Sequence, residues 1–258
     1  MVSDDPLQGV RVSVITLTWN HLDYTKKAVE SLIPILKEND EVIFVDNIST
    51  DGTKKYLKSV QLPCRKKVII LKEQKGIGAA YNIGFHEAKG DFIFIYDNDL
   101  EITSPDTIDR MIKIFKDTPK AGIVCPMCEM LVGIRNYKPP KHGLFNRIID
   151  IPISWKKPYP MAPSAGFLIK KEIFEKIGYW DEQFDPYSIG DFDFARRVIE
   201  AGYYVLIDGF RYLKHGGSVS VQVHLAGDLL ISNKYKYYKK WGVRLTHSLK
   251  RYERDGHV

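Results

Sequence analysis

Acids and amides recur where apolar runs stop. In FIYDNDLE (94–101) an apolar stretch runs directly into Asp97-Asn98-Asp99. Two carboxylates at i and i+2 after a buried strand present hard oxygen ligands of the kind Mg²⁺ or Mn²⁺ takes, commonly together with phosphate oxygens. The same residue types also favour turns. VDNISTDGT (45–53) ends a second apolar run in Asp46, an acceptor for a polar ligand group, and Ser49, Thr50 and Asp51 then supply cap oxygens for a helix. In GDFDFARRVIEAGY (190–203) Asp191 and Asp193 open an amphipathic helix. A carboxylate held at a helix start suits a general base, whereas Asp193 has Arg196 and Arg197 at i+3 and i+4 and fits an ion pair. His215, before a glycine pair, gains value only in company with the other motifs. KGIGAAYNIG (75–84) superficially matches a dinucleotide fingerprint, but its third glycine would fall at Tyr81 and it does not follow the first strand. Its small residues instead allow close approach to a ligand or to the sheet. No Walker A sequence occurs, and no Ser/His/Asp or Cys/His arrangement argues for a covalent intermediate.

The elements that must position these residues alternate. VRVSVITL (10–17), EVIFVD (41–46), KVIIL (67–71), DFIFIYD (91–97) and AGIVC (121–125) read as buried strands. Helices are expected over 22–36, from the cap at 49–51 to about Val60, over 76–88, and from Pro105 to Phe115. A strand and helix return at 164–178, and a helix and strand at 191–207. This alternation predicts an α/β fold with a Rossmann-like, mostly parallel central sheet flanked by helices. Right-handed crossovers place the carboxyl ends of the strands on one edge, where such sheets bind ligands. Thr18-Trp19-Asn20, Asp46-Asn47 and Asp97-Asn98-Asp99 occupy those ends. The Pro- and Gly-rich stretch from Met130 to Pro163 reads as loops and short strands.

Composition narrows the function classes. The 258 residues are 44% hydrophobic and 27% charged, which excludes global disorder. Of the +6 net charge, 226–258 contributes eight Lys/Arg against three acids, leaving thirty bases against twenty-nine acids elsewhere. A basic nucleic-acid surface is therefore not expected. Residues 1–225 read as one domain, with a nucleotide-binding half over about 10–100 and an acceptor-binding half over about 101–225, and 226–258 as a basic, aromatic helical tail. In that tail Leu230, Ile231, Tyr235, Tyr238 and Trp241 share a helical face rimmed by lysines. Packing on the domain is the favoured reading, with contact to an anionic membrane or acceptor polymer as the alternative. Cys125 and Cys128 form a CxxC without a second pair, a poor case for zinc. Three cysteines, an acidic start and no bilayer-length apolar run point to a soluble, cytoplasmic protein, with peripheral contact at the inner membrane face as an option.

In order and spacing, ITLTWNHLDYTKKAVESL, VDNISTDGT, KGIGAAYNIGFHEAKGDFIFIYDND, GDFDFARRVIEAGY and HGGS resemble the family 2 glycosyltransferases of GT-A fold, over about Val10 to Trp241. The resemblance implies transfer of a sugar, with inversion, from a nucleotide diphosphate donor (UDP- or dTDP-linked) to a glycan, polysaccharide or lipid-linked acceptor. It implies Thr18, Asn20, Asp46, Lys75, Asn82, Asp97 and Asn98 as nucleotide-sugar-binding residues, and Asp191 as the base. It also implies a divalent metal, Mn²⁺ or Mg²⁺, on Asp99 and His215. Gly190 stands where the family often has Glu, which removes a group that shapes the acceptor site. The alternatives are a non-catalytic nucleotide- or glycan-binding protein on the same fold and a sugar-1-phosphate nucleotidyltransferase. The latter would want a glycine-rich loop where this chain reads Leu17-Thr18-Trp19-Asn20-His21.

Overall fold

The computed structural model describes residues 12–128, 148–150, 166–187, 189–215 and 223–242. Its centre follows from strands that are apolar in both phases. In β1 (Val12–Thr18), Val14 joins the core on one face of the sheet and Ile15 the core on the other, both fully buried. In β2 (Glu41–Asp46), Phe44 and Val45 divide in the same way, as do Phe94 and Ile93 in β4 (Phe92–Ile95). Strands buried on both faces require helices on both. Here α1 (Leu22–Leu32), α2 (Thr53–Ser59) and α4 (Thr107–Asp117) cover one face. The other carries α3 (Ile77–Glu87), α5 (Lys171–Ile177) and α6 (Gly190–Glu200).

With β3 (Arg65–Ile70) the first strands form a parallel array in the order β3-β2-β1-β4. Beyond β4 come β8 (Phe167–Lys170) and β6 (Ala121–Cys128), each antiparallel to its predecessor, then β9 (Tyr204–His215), parallel to β6. The short β5 (Leu100–Ile102) and β7 (Ile148–Asp150) both pair antiparallel with β9. Most of the paired length is parallel, as the alternation predicts. Register sets Thr18 beside Asp46, and the Tyr96 N–H bonds the Ile15 carbonyl at 3.0 Å. The three polar strand ends therefore share one edge.

Three local expectations need correction. Pro105 lies in a turn, and α4 begins at Thr107 after Asp106. Ser49 and Thr50 do not cap α2. That role falls to Asp51, whose Oδ1 accepts from the Thr53 N–H (3.1 Å) and Oγ1 (2.7 Å) while Oδ2 accepts from the Leu22 N–H of α1 (2.8 Å). One carboxylate thus serves two helix starts. The third concerns the tail helix, α7 (Val223–Trp241), which packs on the domain with Leu230, Asn233, Tyr237 and Trp241 toward it, a stripe that shares only Leu230 and Trp241 with the expected one. These positions recur at three to four residues and meet Phe184, Ile189 and Phe192. Most of the Pro- and Gly-rich segment and the end of the tail lie outside the described residues. Among the described residues no helix is long and apolar enough to cross a membrane.

Polar contacts lock α7 in place. The Asn233 amide donates to the Phe184 and Tyr187 carbonyls, and Lys236 Nζ to Gln183 O at 2.7 Å. Asp193 is fully buried. Its Oδ2 takes Arg197 Nε at 2.9 Å, and its Oδ1 takes Lys240 Nζ and the Trp241 indole N–H, both at 2.8 Å. Replacing one partner of a buried ion pair leaves the other charge uncompensated. Asp193→Asn is therefore expected to cost about 3 kcal/mol of folding stability, read by chemical denaturation, and to loosen α7. An unchanged unfolding midpoint would show that the pair contributes nothing.

Candidate active site

The Asp97-Asn98-Asp99 segment is a tight turn between β4 and β5, closed by the Leu100 N–H on the Asp97 carbonyl at 3.2 Å. Helix α1 pins it from below. The Tyr96 hydroxyl, fully buried, donates to the Leu100 carbonyl at 2.8 Å, and Asn98 Nδ2 donates to Thr25 Oγ1 at 3.0 Å. Asn98 thus turns inward, while Asp97 and Asp99 on either side stay partly exposed. Antiparallel pairing sets the backbone of His215, at the end of β9, opposite Leu100, one residue beyond Asp99.

The neighbouring strand ends form a linked rim. Asp46 is enclosed, its Oδ2 accepting from Thr18 Oγ1 (3.1 Å) and its Oδ1 from the Ser49 N–H (3.0 Å). Asn20, in a left-handed conformation, donates its N–H to Ser49 Oγ (2.7 Å) and accepts the Thr50 N–H on Oδ1 (2.7 Å). Asn47 clasps the backbone of Lys75 from both sides, at 2.9 Å each way, which leaves the Lys75 ammonium at the surface with Glu73. Thr18, Asn20 and Asp46 are thus brought together, and Lys75 is tied to them through its main chain.

Asn82 faces elsewhere. Its amide accepts the Trp180 N–H (2.9 Å) and donates to the Trp180 carbonyl (3.0 Å) and to Glu182 (2.8 Å). It anchors the loop that leads to α6. That loop returns the contact through Asp185, whose carboxylate accepts the Gly78 and Ala79 N–H groups at the start of α3, at 2.7 and 3.0 Å. A side chain at Gly76 would lie 2.2 Å from Asp185 Cγ, so this helix start needs glycine.

Asp191 opens α6, partly exposed, with Oδ1 accepting from the Phe192 N–H at 2.9 Å. Burial raises its carboxyl to about 6, against the pull of the Phe192 and its own backbone N–H groups. Gly190 beside it is also required by packing, because a Cβ there would sit 2.2 Å from the Trp180 indole nitrogen. The indole fills the space a glutamate would need. Trp180 stacks on Phe194 (5.1 Å) and lies 5.9 Å from the ring of Tyr81, whose hydroxyl donates to Asp97 Oδ1. A continuous set of contacts therefore runs from Asp97 through Tyr81 and Trp180 to Gly190 and Asp191.

Sequence reasoning passed over Tyr81, Trp180 and Asp185. Asp185 carries a weak signal as an acid before a proline. Tyr81 was visible only as the residue that spoils a glycine fingerprint. Among the described residues no three His, Cys, Asp or Glu side chains converge as a ready-made metal cage. A partly exposed carboxylate at a strand-end turn still suits a divalent ion that completes its shell with phosphate oxygens.

Comparison with known proteins agrees with this architecture. S. aureus TarS in complex with UDP-GlcNAc superposes with a TM-score of 0.64 at 18% identity, covering 89% of this chain and 67% of that one. Mannosyltransferase PcManGT from Pyrobaculum calidifontis, in complex with GDP-Man and Mn²⁺, gives 0.64 at 19% identity, covering 89% and 64%. These likenesses show the GT-A fold. The putative teichuronic acid biosynthesis glycosyltransferase TuaG of Bacillus subtilis is 35% identical over 89 residues, covering 34% of this chain and 35% of its own. The chain spans about half or less of the length of the curated relatives it matches. The model of the family described as "Glycosyl transferase family 2" matches residues 13–178, more than half of the chain, with β2, β4, all of β1 but its first residue and the Asp97-Asn98-Asp99 turn inside it, and the protein belongs to that family.

Proposed function

We propose that the protein transfers a sugar, with inversion, from a UDP- or dTDP-linked donor to a hydroxyl of a glycan, polysaccharide or lipid-linked acceptor. The observation that carries the reading is the raised carboxyl of Asp191, joined through Gly190, Trp180 and Tyr81 to the first acid of the strand-end turn. A base with a pKa near the working pH is ionised yet still takes up a proton readily. The nucleotides bound to TarS and PcManGT support a nucleotide-linked donor, and the name of TuaG supports a polysaccharide acceptor.

In this reading Thr18, Asn20, Asp46 and the Lys75 main chain shape the nucleotide side, and Asp97 meets the ribose or the donor sugar. Asn82 and Asn98 act by holding the Trp180 loop and the acidic turn. Asp191 takes the proton from the acceptor hydroxyl as that oxygen attacks the anomeric carbon. The bond from that carbon to the diphosphate breaks on the opposite side, and its electron pair leaves with the nucleotide diphosphate. A single displacement inverts the centre and needs no enzyme nucleophile. Asp99, with His215, would hold a divalent metal together with the donor phosphates, and that ion when bound supplies Lewis-acid neutralisation of the leaving diphosphate.

Two experiments test this. UDP, dTDP and GDP and their sugars, each with Mn²⁺ or Mg²⁺, are screened by thermal shift. A metal-dependent rise is expected for a uridine or thymidine nucleotide and is expected to vanish in Asp99→Ala without loss of fold. Equal metal dependence in the variant would remove Asp99 from the metal site. The second is Asp191→Asn, which keeps the helix-start acceptor but cannot take the proton. Metal-dependent hydrolysis of the donor by water is expected to fall about a hundredfold or more, with donor affinity retained. In the wild type the rate should rise with pH through about 6, the pKa of Asp191. The stability sign is opposite. The folded-state pKa is raised from 3.8, so the penalty for the charged form is absent below about 4 and complete above about 6. Asp191→Asn should therefore stabilise the protein at pH 7 to 8 by on the order of 2 kcal/mol, with no gain below pH 4. Normal turnover in this variant would sink both the base and the single displacement.

A further inference from the structure

We infer that Tyr81 is a positioning residue of this site: its hydroxyl fixes the Asp97 carboxylate in the orientation that receives the donor. The inference rests on the reading of Asp97 as a donor-binding acid. Asp97 opens the turn two residues past β4 and is partly exposed. Left to itself, a carboxylate there turns about two side-chain torsions, and ordering it when ligand arrives weakens binding. The Tyr81 hydroxyl donates to Oδ1 and removes that freedom in advance.

The donor is itself held rigidly. Tyr81 is 4% exposed, and its ring packs in a three-ring cluster with Phe85 and Trp180, 5.9 Å from each. Its helix cannot shift, because the Asp185 carboxylate closes on the start of α3 and Asn82, the next residue, grips the Trp180 backbone. Burial, then the Asp97 and Asp99 charges, push the phenol well above its ordinary range, so it remains a donor at any working pH. Packing alone does not require this hydroxyl, since a phenylalanine ring would fill the same slot. The hydroxyl lies at the junction of the β1 and β4 ends, against the Leu17 backbone and Asp97. That is where the site needs a fixed acid.

A phenol that merely satisfies itself inside the core would affect stability alone, and a double-mutant cycle separates the two roles. The UDP-, dTDP- or GDP-linked sugar that stabilises the wild type is titrated calorimetrically into wild type, Tyr81→Phe, Asp97→Ala and the double variant, with denaturation midpoints measured alongside. Tyr81→Phe is expected to weaken donor binding about tenfold, with hydrolysis at saturating donor within about twofold of wild type. The double variant is expected to bind no more weakly than Asp97→Ala. Unchanged affinity in Tyr81→Phe, or losses that multiply in the double variant, would overturn the assignment while leaving the donor reading intact. Failure of every nucleotide sugar to bind the wild type would overturn both. Should Tyr81→Phe fold poorly, the same cycle is run with Tyr81→Met as the hydroxyl-free arm, where unchanged affinity or multiplying losses overturn the assignment in the same way.

Discussion

The Asp185 carboxylate closes over the first turn of α3, and both sides of the candidate site depend on that contact. Helix starts leave backbone N–H groups without intrahelical partners. Here the Gly78 and Ala79 N–H groups meet Asp185, and the Ile77 N–H meets the carbonyl of Pro186 at 3.1 Å. Burial raises the Asp185 carboxyl, while the two N–H bonds oppose the rise. The helix dipole favours negative charge at this end. The contact joins residues more than a hundred positions apart, so it fixes the loop before α6 relative to the strand-end turn. Moving either changes the distance between the candidate base and the candidate donor acid.

A second grip comes from the other side of the same loop. Asn233 and Lys236 of α7 hold the Phe184, Tyr187 and Gln183 carbonyls, and Lys240 pairs with Asp181 at 2.7 Å. Arg197 reaches the Ile177, Gly178 and Tyr179 carbonyls as well as Asp193. The loop is therefore clamped between α3 and α7. Proximity effects in catalysis depend on reacting groups being held within a fraction of an ångström, and the tail helix contributes to that geometry although it lies outside the span of the family match. Two of its basic residues, Lys236 and Lys240, are engaged in holding this loop.

Much of this was legible in the residues because it is local. Strands with both phases apolar announced a two-sided sheet, and the polar residues that ended them announced a polar edge. Asp193 could be set apart from Asp191 because its partner is four residues on. What stayed illegible has its cause far away in sequence. Gly76 is required by Asp185, and Gly190 by Trp180. Asn82 is engaged by a loop about a hundred residues later, although its place in a ligand-lining segment suggested direct binding. In α7 the amphipathic pattern was visible, but two overlapping stripes were available, and the choice between them was made by the shape of the Phe184–Ile189–Phe192 surface. Helical periodicity narrows which faces are apolar and leaves the docking partner undetermined.

The two acids of α6 show how one helix start holds a buried ion pair and a carboxyl of raised pKa side by side. Two positions along a helix turn a side chain by about 200°. Asp193 faces the interior toward Arg197, Lys240 and the Trp241 indole, and its charge is compensated there. Asp191 faces the other way. The rise in its carboxyl is driven by burial and opposed only by backbone N–H groups, with no cation contributing. The local cations are committed to its neighbour. Had either turned toward Asp191, an opposite charge nearby would have favoured the ionised form and lowered the pKa, giving a weaker base. The pairing of Asp193 therefore anchors the helix that carries Asp191, and Asp191 keeps an unfavourably desolvated carboxylate with no cation beside it, as the proposed base role requires.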